Sequence, residues 1–397
     1  MAILNPVTRR LIFLTCSVLL LESFFSAVLT PMVPAFRQEL GLSEGATGIL
    51  VAAYAAGSLI FSMPAGWFAS RYNPRTAVVV GLLGVGLSSV AFGWAGHATM
   101  LEASRFLLGA FGALMWAGGM SWTISAAGVD GRGQVMGTLL AAAVAGELIG
   151  SPVGAVADHL GTEYVFTGLL VLSILLAGLA RTVPPVAEEA GQTAREALSA
   201  VREAGVTRWV FALVAVVGPS IALGSVLVIV PLRVEALGLS SWILAAGLLG
   251  MSVVEMVTGP LAGRWSDRVG RKTPFLIGLA IMAPCVVAFA VIPAFAGIAA
   301  VLAVYAVGSA FAFTTSMTSL ADLATRAGLN QGYSSATSSI GWAGGLIVGA
   351  LVGGAIVGRV GYLAGGLAVA GLLGAVGVVT YRVAAGDRNV GAVAREG

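Results

Sequence analysis

GRWSDRVGRKT, Gly263 to Thr273, sets Arg264, Asp267, Arg268, Arg271 and Lys272 into one short stretch of a chain that is only 10% charged. A degraded copy, GWFASRYNPRT, occupies Gly66 to Thr76, 197 residues earlier. At that offset Gly66 meets Gly263, Arg71 meets Arg268, Arg75 meets Lys272 and Thr76 meets Thr273. Ser70 stands where the second copy has Asp267, and Asn73 where it has Gly270. The register extends outward without a gap: Gly41-Leu42-Ser43 meets Gly238-Leu239-Ser240, and Pro34 meets Pro231. The chain is therefore an internal duplication, and the charged phrase marks the same junction in each half.

The surroundings of the phrase say what kind of junction it is. Of 397 residues, 58% are hydrophobic, against about 45–50% apolar and about 25% charged in a soluble domain. So much apolar surface points to a membrane protein. A helical crossing takes about 20 apolar residues. Twelve such runs can be read, at 11–35, 45–70, 76–96, 98–124, 134–157, 162–180, 208–233, 240–263, 273–293, 295–320, 332–357 and 360–382. They predict an all-α protein with a bundle over 1–180, a cytoplasmic linker over 181–207, a second bundle over 208–383 and a tail over 384–397. The linker carries Pro184-Pro185 and a mixed-charge run that reads as a short surface helix. Arg9 and Arg10 precede the first apolar run, which contains Glu22 and no small-residue cleavage site, so it reads as a retained span.

Cations set the orientation. With the N-terminus inside, Arg37, Arg233 and Arg359 fall outside, Arg105 lies within a span, and the rest of the 21 cations face the cytoplasm. Both termini are then cytoplasmic, in a cell inner membrane or plasma membrane. The net charge of +3 is scattered over short loops, so no nucleic-acid partner is expected. Cys16 and Cys285 lie in apolar runs and read as spectator thiols; no metal cluster, nucleotide loop or nucleophile–base set appears. His97 and His159 fall at outer loop edges and read as solvated spectators. Two six-span halves in parallel repeat are an architecture of secondary transporters, with the substrate site between the halves.

The charged phrase resembles the loop between helices 2 and 3 of the major facilitator superfamily, G-x-L-A-D-R-x-G-R-K, through Gly263, Asp267, Arg268, Gly270, Arg271 and Lys272. The resemblance implies a twelve-helix fold in which these residues, with Arg71 of the first copy, form a conformational latch; a purely topogenic cationic loop is the alternative. Leu101-x3-Arg105-x3-Gly109-x2-Gly112 resembles the helix-4 arginine motif. Gly146, Gly150, Pro152 and Gly154 resemble the helix-5 motif of drug/proton antiporters, read as a hinge. Small residues four apart allow close helix approach, and proline bends a helix. Leu19–Pro34, LLLESFFSAVLTPMVP, is similar to the first helix of the vesicular amine transporters, which also places an acid nine residues before P-x-x-P. Glu22 and Arg105 match that pattern. Tyr54 falls on its helix-2 lysine and Leu227 on its helix-7 acid; its helix-11 and helix-10 acids fall near Ser339 and over 313–316, and none of these positions is charged here.

Ionisable residues within spans are costly and are functional candidates. They are Glu22 in span 1, Glu102 and Arg105 in span 4, Glu147 in span 5 and Glu255 in span 8; the interiors of spans 3, 6, 9 and 12, which the resemblance makes lipid-facing, have none. Glu22 sits about 17 Å into its span at 1.5 Å per residue, near mid-bilayer. A carboxylate that is dry in one state and wetted in another can load and release a proton. Glu22, Glu147 and Glu255 are therefore the proton-coupling candidates. Their plain alternatives are a buried partner of Arg105, a packing residue, and an inter-half tie. Glu102 shares a helix face with Arg105 and reads as local neutralisation. Glu22, Tyr54, Arg105, Phe111, Trp116, Phe311, Phe313 and Trp342 are the candidates for lining a substrate cavity; for the aromatics, simple packing is the alternative.

The expected function is proton-coupled efflux of a small amphipathic or drug-like compound, by a functional monomer that needs no cofactor beyond the proton gradient. A proton-independent facilitator, a lysolipid exporter and a non-transporting receptor on the same scaffold stay open. An enzyme is not expected.

Overall fold

The computed structural model describes residues 6–184, 192–329 and 331–396; residues 185–191 of the expected linker lie outside the described residues. The described residues form helices and no strand. α1 is Pro6–Ala27, followed by a 3-10 turn at Thr30–Met32 and the short α2, Val33–Leu40. Then come α3 (Glu44–Tyr72), α4 (Pro74–Gly93), α5 (Ala98–Leu160) and α6 (Thr162–Thr182). The linker helix is α7 (Ala194–Glu203). The second half holds α8 (Val206–Ala236), α9 (Ser241–Val269), α10 (Lys272–Val291), α11 (Phe295–Arg326), α12 (Gln331–Val360) and α13 (Tyr362–Glu396).

The first crossing runs from α1 through α2, and Pro31 and Pro34 explain its break. A proline has no N–H to continue the ladder, so the chain tightens at Thr30–Met32 before resuming as helix. Where spans 4 and 5 were read separately, α5 is one helical run of 63 residues. Its contacts with α1 show a reversal. In its first arm the order is antiparallel: Arg105 reaches Phe25, Gly112 lies by Glu22, and Thr123 bonds Thr15. In its second arm the order is parallel: Cys16 meets Thr138, Gly146 faces Leu20, Gly150 faces Phe24 and Gly154 faces Val28. The chain must turn back between Thr123 and Thr138, so α5 makes two crossings. Ten further segments are long and apolar enough to cross. Twelve crossings result, six from α1 to α6 and six from α8 to α13.

Turn chemistry separates the two ends of the molecule. Gly41, Gly161, Gly238 and Gly361, all with positive φ, lie at one end, called here the Gly41 end; Gly205, Gly270 and Gly328 lie at the other, the Gly270 end. Asn73, repeat mate of Gly270, keeps the bend at φ 131°. Its Oδ1 accepts from the Arg75 N–H at 2.8 Å. The degraded phrase therefore has the same local shape as the intact one, held by a side-chain cap instead of a glycine.

α6 and α13 present exposed Val171, Leu175, Leu363 and Leu367, as lipid-facing helices should. α4, expected to be lipid-facing, is mostly buried: Gly81 and Gly84 seat it against α5, and Gly86 and Gly93 against α6. α7 starts with a capping box, Thr193 with Glu196, and packs Ala197 into a cluster with Trp209, Leu320 and Ala324 of the second half. The halves meet along α3 with α12 and along the second arm of α5 with α9. A Cβ on Gly48 would come within 2.6 Å of the Ala350 carbonyl oxygen, and one on Gly354 within 2.6 Å of that of Glu44. Only glycine permits this backbone approach.

Candidate functional site

Three elements of the first half converge on Glu22. The glycines of α3 and α5 let the helices touch: a Cβ on Gly57 would strike the Phe106 carbonyl, and one on Gly109 that of Tyr54. Gly112 leaves room for the acid, since its absent Cβ would lie 3.3 Å from both Glu22 Oε1 and the Tyr54 hydroxyl. Into that space Tyr54, 2% exposed, donates its O–H to Glu22 Oε1 at 2.5 Å. Ser23 donates to Oε2 at 3.3 Å. The Glu22 side chain is half-buried.

Arg105 is 3% exposed, and its Nη1 donates to the Phe25 carbonyl at 2.6 Å. Its guanidinium stacks over the Tyr54 ring, 4.8 Å from the centroid. Among the described residues no ion pair joins Arg105 to Glu22 or to Glu102. The direct Glu22–Arg105 pairing, the plain alternative for Glu22, gives way to an arrangement in series. Tyr54 stands between them, its hydroxyl on the acid and its π face on the cation. Arg105 Nε has no hydrogen-bond partner.

Glu147 and Glu255 extend the polar line into the second half. Glu147, half-buried on the second arm of α5, lies within electrostatic reach of both Glu22 and Glu255. Glu255, on α9, has Ser309 of α11 within hydrogen-bonding reach and Tyr305 one turn earlier on the same helix. Tyr305 is fully buried, and its hydroxyl has no hydrogen-bond partner. Carboxylates from α1, α5 and α9 are therefore linked electrostatically across the boundary between the halves, through Glu147. Sequence reading missed Ser309, because an uncharged residue in an apolar helix carries no signal of its own.

The structure separates the other cavity candidates. Phe111 is a packing residue: a Cβ on Gly84 of α4 would fall on its ring. Trp116 packs with Cys16 against Ile12, Leu19 and Met120. Trp342 packs against the main core cluster, which includes residues of both halves, and against the smaller cluster around Trp209. Phe311 makes an edge contact with Trp265 at 5.6 Å, and Phe313 is half-buried nearby on α11. The helix-5 motif forms a contact ridge in this conformation. Gly146, Gly150 and Gly154 seat the second arm of α5 on α1, and the helix continues through Pro152.

Of the residues expected to form a latch, Asp267 and Arg271 join a network inside the second half. Arg271 Nη1 bonds Asp267 at 2.6 Å and Ser266 at 2.7 Å, and Nη2 reaches Asp322 of α11 at 3.4 Å. Lys272 donates to the Tyr381 carbonyl at 3.3 Å and lies 4.0 Å from that ring's centroid. Arg268 and Arg71 are exposed, and Gly263 faces Thr314 of α11. Asp322 is an addition that the spacing of the loop motif could not announce.

Three contacts between described residues join the halves at the Gly41 end. Arg37 pairs with Glu235 at 2.5 Å, Ser241 donates to Asp158 at 2.5 Å, and His159 stacks on Trp242 at 5.7 Å. His159, read as a solvated spectator, is thus part of this seam.

A family model described as Major Facilitator Superfamily matches residues 15–345 and again 241–393. Multidrug resistance protein 2 of Bacillus subtilis (strain 168) is 29% identical over 168 residues, 41% of this chain and 42% of that protein. Multidrug resistance protein 1 of the same organism is 30% identical over 145 residues, covering 36% and 37%. The aligned stretches span well under two thirds of these relatives. Among solved structures, a bacterial homologue of the human lysosomal transporter Spinster, inward-facing and unoccupied, superposes with a TM-score of 0.77 at 14% identity, covering 95% of this chain and 97% of that one. A D-xylose–proton symporter gives 0.75 at 19% identity, covering 94% and 95%. At these identities the likeness is one of fold.

Proposed function

The chain belongs to the Major Facilitator Superfamily, a multi-pass membrane transporter, and from that premise we propose that it exports a small amphipathic compound in exchange for protons by alternating access. Glu22 is the coupling carboxylate. The observation that carries this reading is that Glu22 lies half-buried in mid-span, held by the Tyr54 hydroxyl and Ser23, with no cation paired to it among the described residues. A carboxylate neutralised by arginine would have little reason to take up a proton; one held only by neutral donors can exchange it. Glu147 and Glu255 continue the line. Like charges in a low-dielectric row repel, so the number of protons it holds bears on how closely the halves approach. The names of the two Bacillus relatives support drug-like substrates.

In this reading the bundles 1–180 and 208–383 are the two rocking units, joined by 181–207, and both termini face the cytoplasm of a cell inner or plasma membrane. The cation-rich Gly270 end is then cytoplasmic. The seam at the Gly41 end makes the conformation inward-facing. Asp267, Arg271 and Asp322 hold α9, α10 and α11 as one body that moves together. No cofactor is required, the proton gradient supplying the energy.

The test is transport in proteoliposomes. Wild-type protein is expected to accumulate substrate against its gradient when a pH gradient is imposed, and Glu22→Gln to retain exchange but lose gradient-driven accumulation. Full accumulation by Glu22→Gln would overturn the assignment.

A further inference from the structure

We infer that Arg37, through its ion pair with Glu235, is the tether that holds the Gly41 end of the transporter shut. The inference rests on the alternating-access reading above and adds the residue pair that one of its two gates must break.

Arg37 is in the last turn of α2 and Glu235 in the last turn of α8. Their contact is 2.5 Å, with side chains only 16% and 21% exposed, so solvent screens the pair weakly. Arg37 is saturated by its surroundings. Nε donates to the Leu42 carbonyl at 3.1 Å, Nη1 to Glu235, and Nη2 lies 3.7 Å from Glu44 of α3. The bond to Leu42 and the Glu44 contact keep the guanidinium on the first half, and Glu235 is its partner on the second. Opening this end must separate them.

The duplication sharpens the argument. Gln38 is the repeat mate of Glu235, and Val234 that of Arg37. At a pseudo-two-fold seam, equivalent helix ends face each other, and a faithful duplicate would set like against like. The halves have diverged at these adjacent positions so that a cation meets an anion. No other ion pair among the described residues joins the halves. The Ser241–Asp158 bond and the His159–Trp242 stack lie on the same seam and close it further.

The experiment places spin labels on cysteines at Gln38 and Ser240, exposed positions on opposite sides of the seam. The background is the full chain with Cys16→Ser and Cys285→Ala, and inter-label distances are read in liposomes. Arg37→Gln and Glu235→Gln are each expected to raise the ratio of long to short distances about five- to tenfold, the range of a typical coupling. The exchange Arg37→Glu with Glu235→Arg, made together with Glu44→Gln so that the new acid does not face Glu44, is expected to return it toward wild type. Glu39→Gln, an exposed acid of α2 outside the pair, is expected to leave it unchanged. Unchanged distances in both single variants overturn the tether, and so does failure of the exchanged pair to restore the short distance. Distances are read without transport, so absence of proton-driven flux would count against the transport reading alone.

Discussion

Glu22 is held by a phenol, and the phenol is held by a cation; the three residues should therefore respond differently to substitution. Tyr54→Phe keeps the ring over Arg105 and removes only the donor to Glu22. Loss of one hydrogen bond to a carboxylate costs about 1.5–3 kcal/mol. The expected outcome is a well-folded protein whose transport–pH profile differs from wild type while exchange at fixed pH persists; an unaltered profile would remove Tyr54 from the coupling site. Arg105→Ala should be harsher, though not by stranding Glu22. It leaves the buried Phe25 carbonyl without its donor and the Tyr54 ring without its cation. A lower thermal midpoint and poor expression are expected, with Arg105→Lys recovering part of both. A variant as stable as wild type would show that this hydrogen bond contributes little.

At the scale of elements, glycine positions set how far helices can approach. Gly146→Val would drive a side chain into the Leu20 backbone, and Gly109→Val one into Tyr54. Both should abolish folded protein by size-exclusion profile, whereas Gly168→Val, with open space around its Cβ, should not. The two charged junctions make a finer comparison. Asn73→Gly should be tolerated, because glycine adopts a positive φ without a side-chain clash, while Asn73→Ala should lower thermal stability, losing both the cap on Arg75 and the tolerance for that conformation. In the intact copy, Asp267→Asn leaves Arg271 with Ser266 and Asp322. Expression should persist and the initial rate of transport should fall. Transport at the wild-type rate would make this network topogenic only.

At the scale of the whole molecule, the proposed inward-facing conformation predicts access to the interior from the Gly270 end. Gly344 of α12 is half-buried and has open space where a Cβ would be. A cysteine there should react with a membrane-impermeant thiol reagent faster in inside-out than in right-side-out vesicles. The opposite ratio would reverse either the orientation or the conformational assignment. Arg37→Gln should narrow the ratio, because it frees the opposite gate. The twelve crossings, the duplication and the row of acids at mid-depth are one design at this scale: each half supplies part of a polar line that neither half completes alone.

Much of this was legible along the chain. Span length, loop chemistry and cation bias are properties of short windows, and a duplication shows as a fixed offset, so the twelve crossings and the two halves followed from local sequence. The rarity of charge in apolar helices marked Glu22, Arg105, Glu147 and Glu255. Partnership was not legible. Helices that are apolar on all faces carry little periodicity to say which side meets which neighbour, so for Phe111 and Trp116 the sequence left cavity wall and packing both open, and only the structure gives their neighbours. Whether Glu22 bonds Arg105 or Tyr54 depends on helix rotation by a fraction of a turn. Whether Arg271 ties two halves or three helices of one half depends on where α11 places Asp322. Arg37 and Glu235 are 198 positions apart, and nothing local to either names the other. Tertiary structure decided these pairings because close backbone contact at glycine fixes rotation and depth together, and only then does a polar side chain acquire its partner.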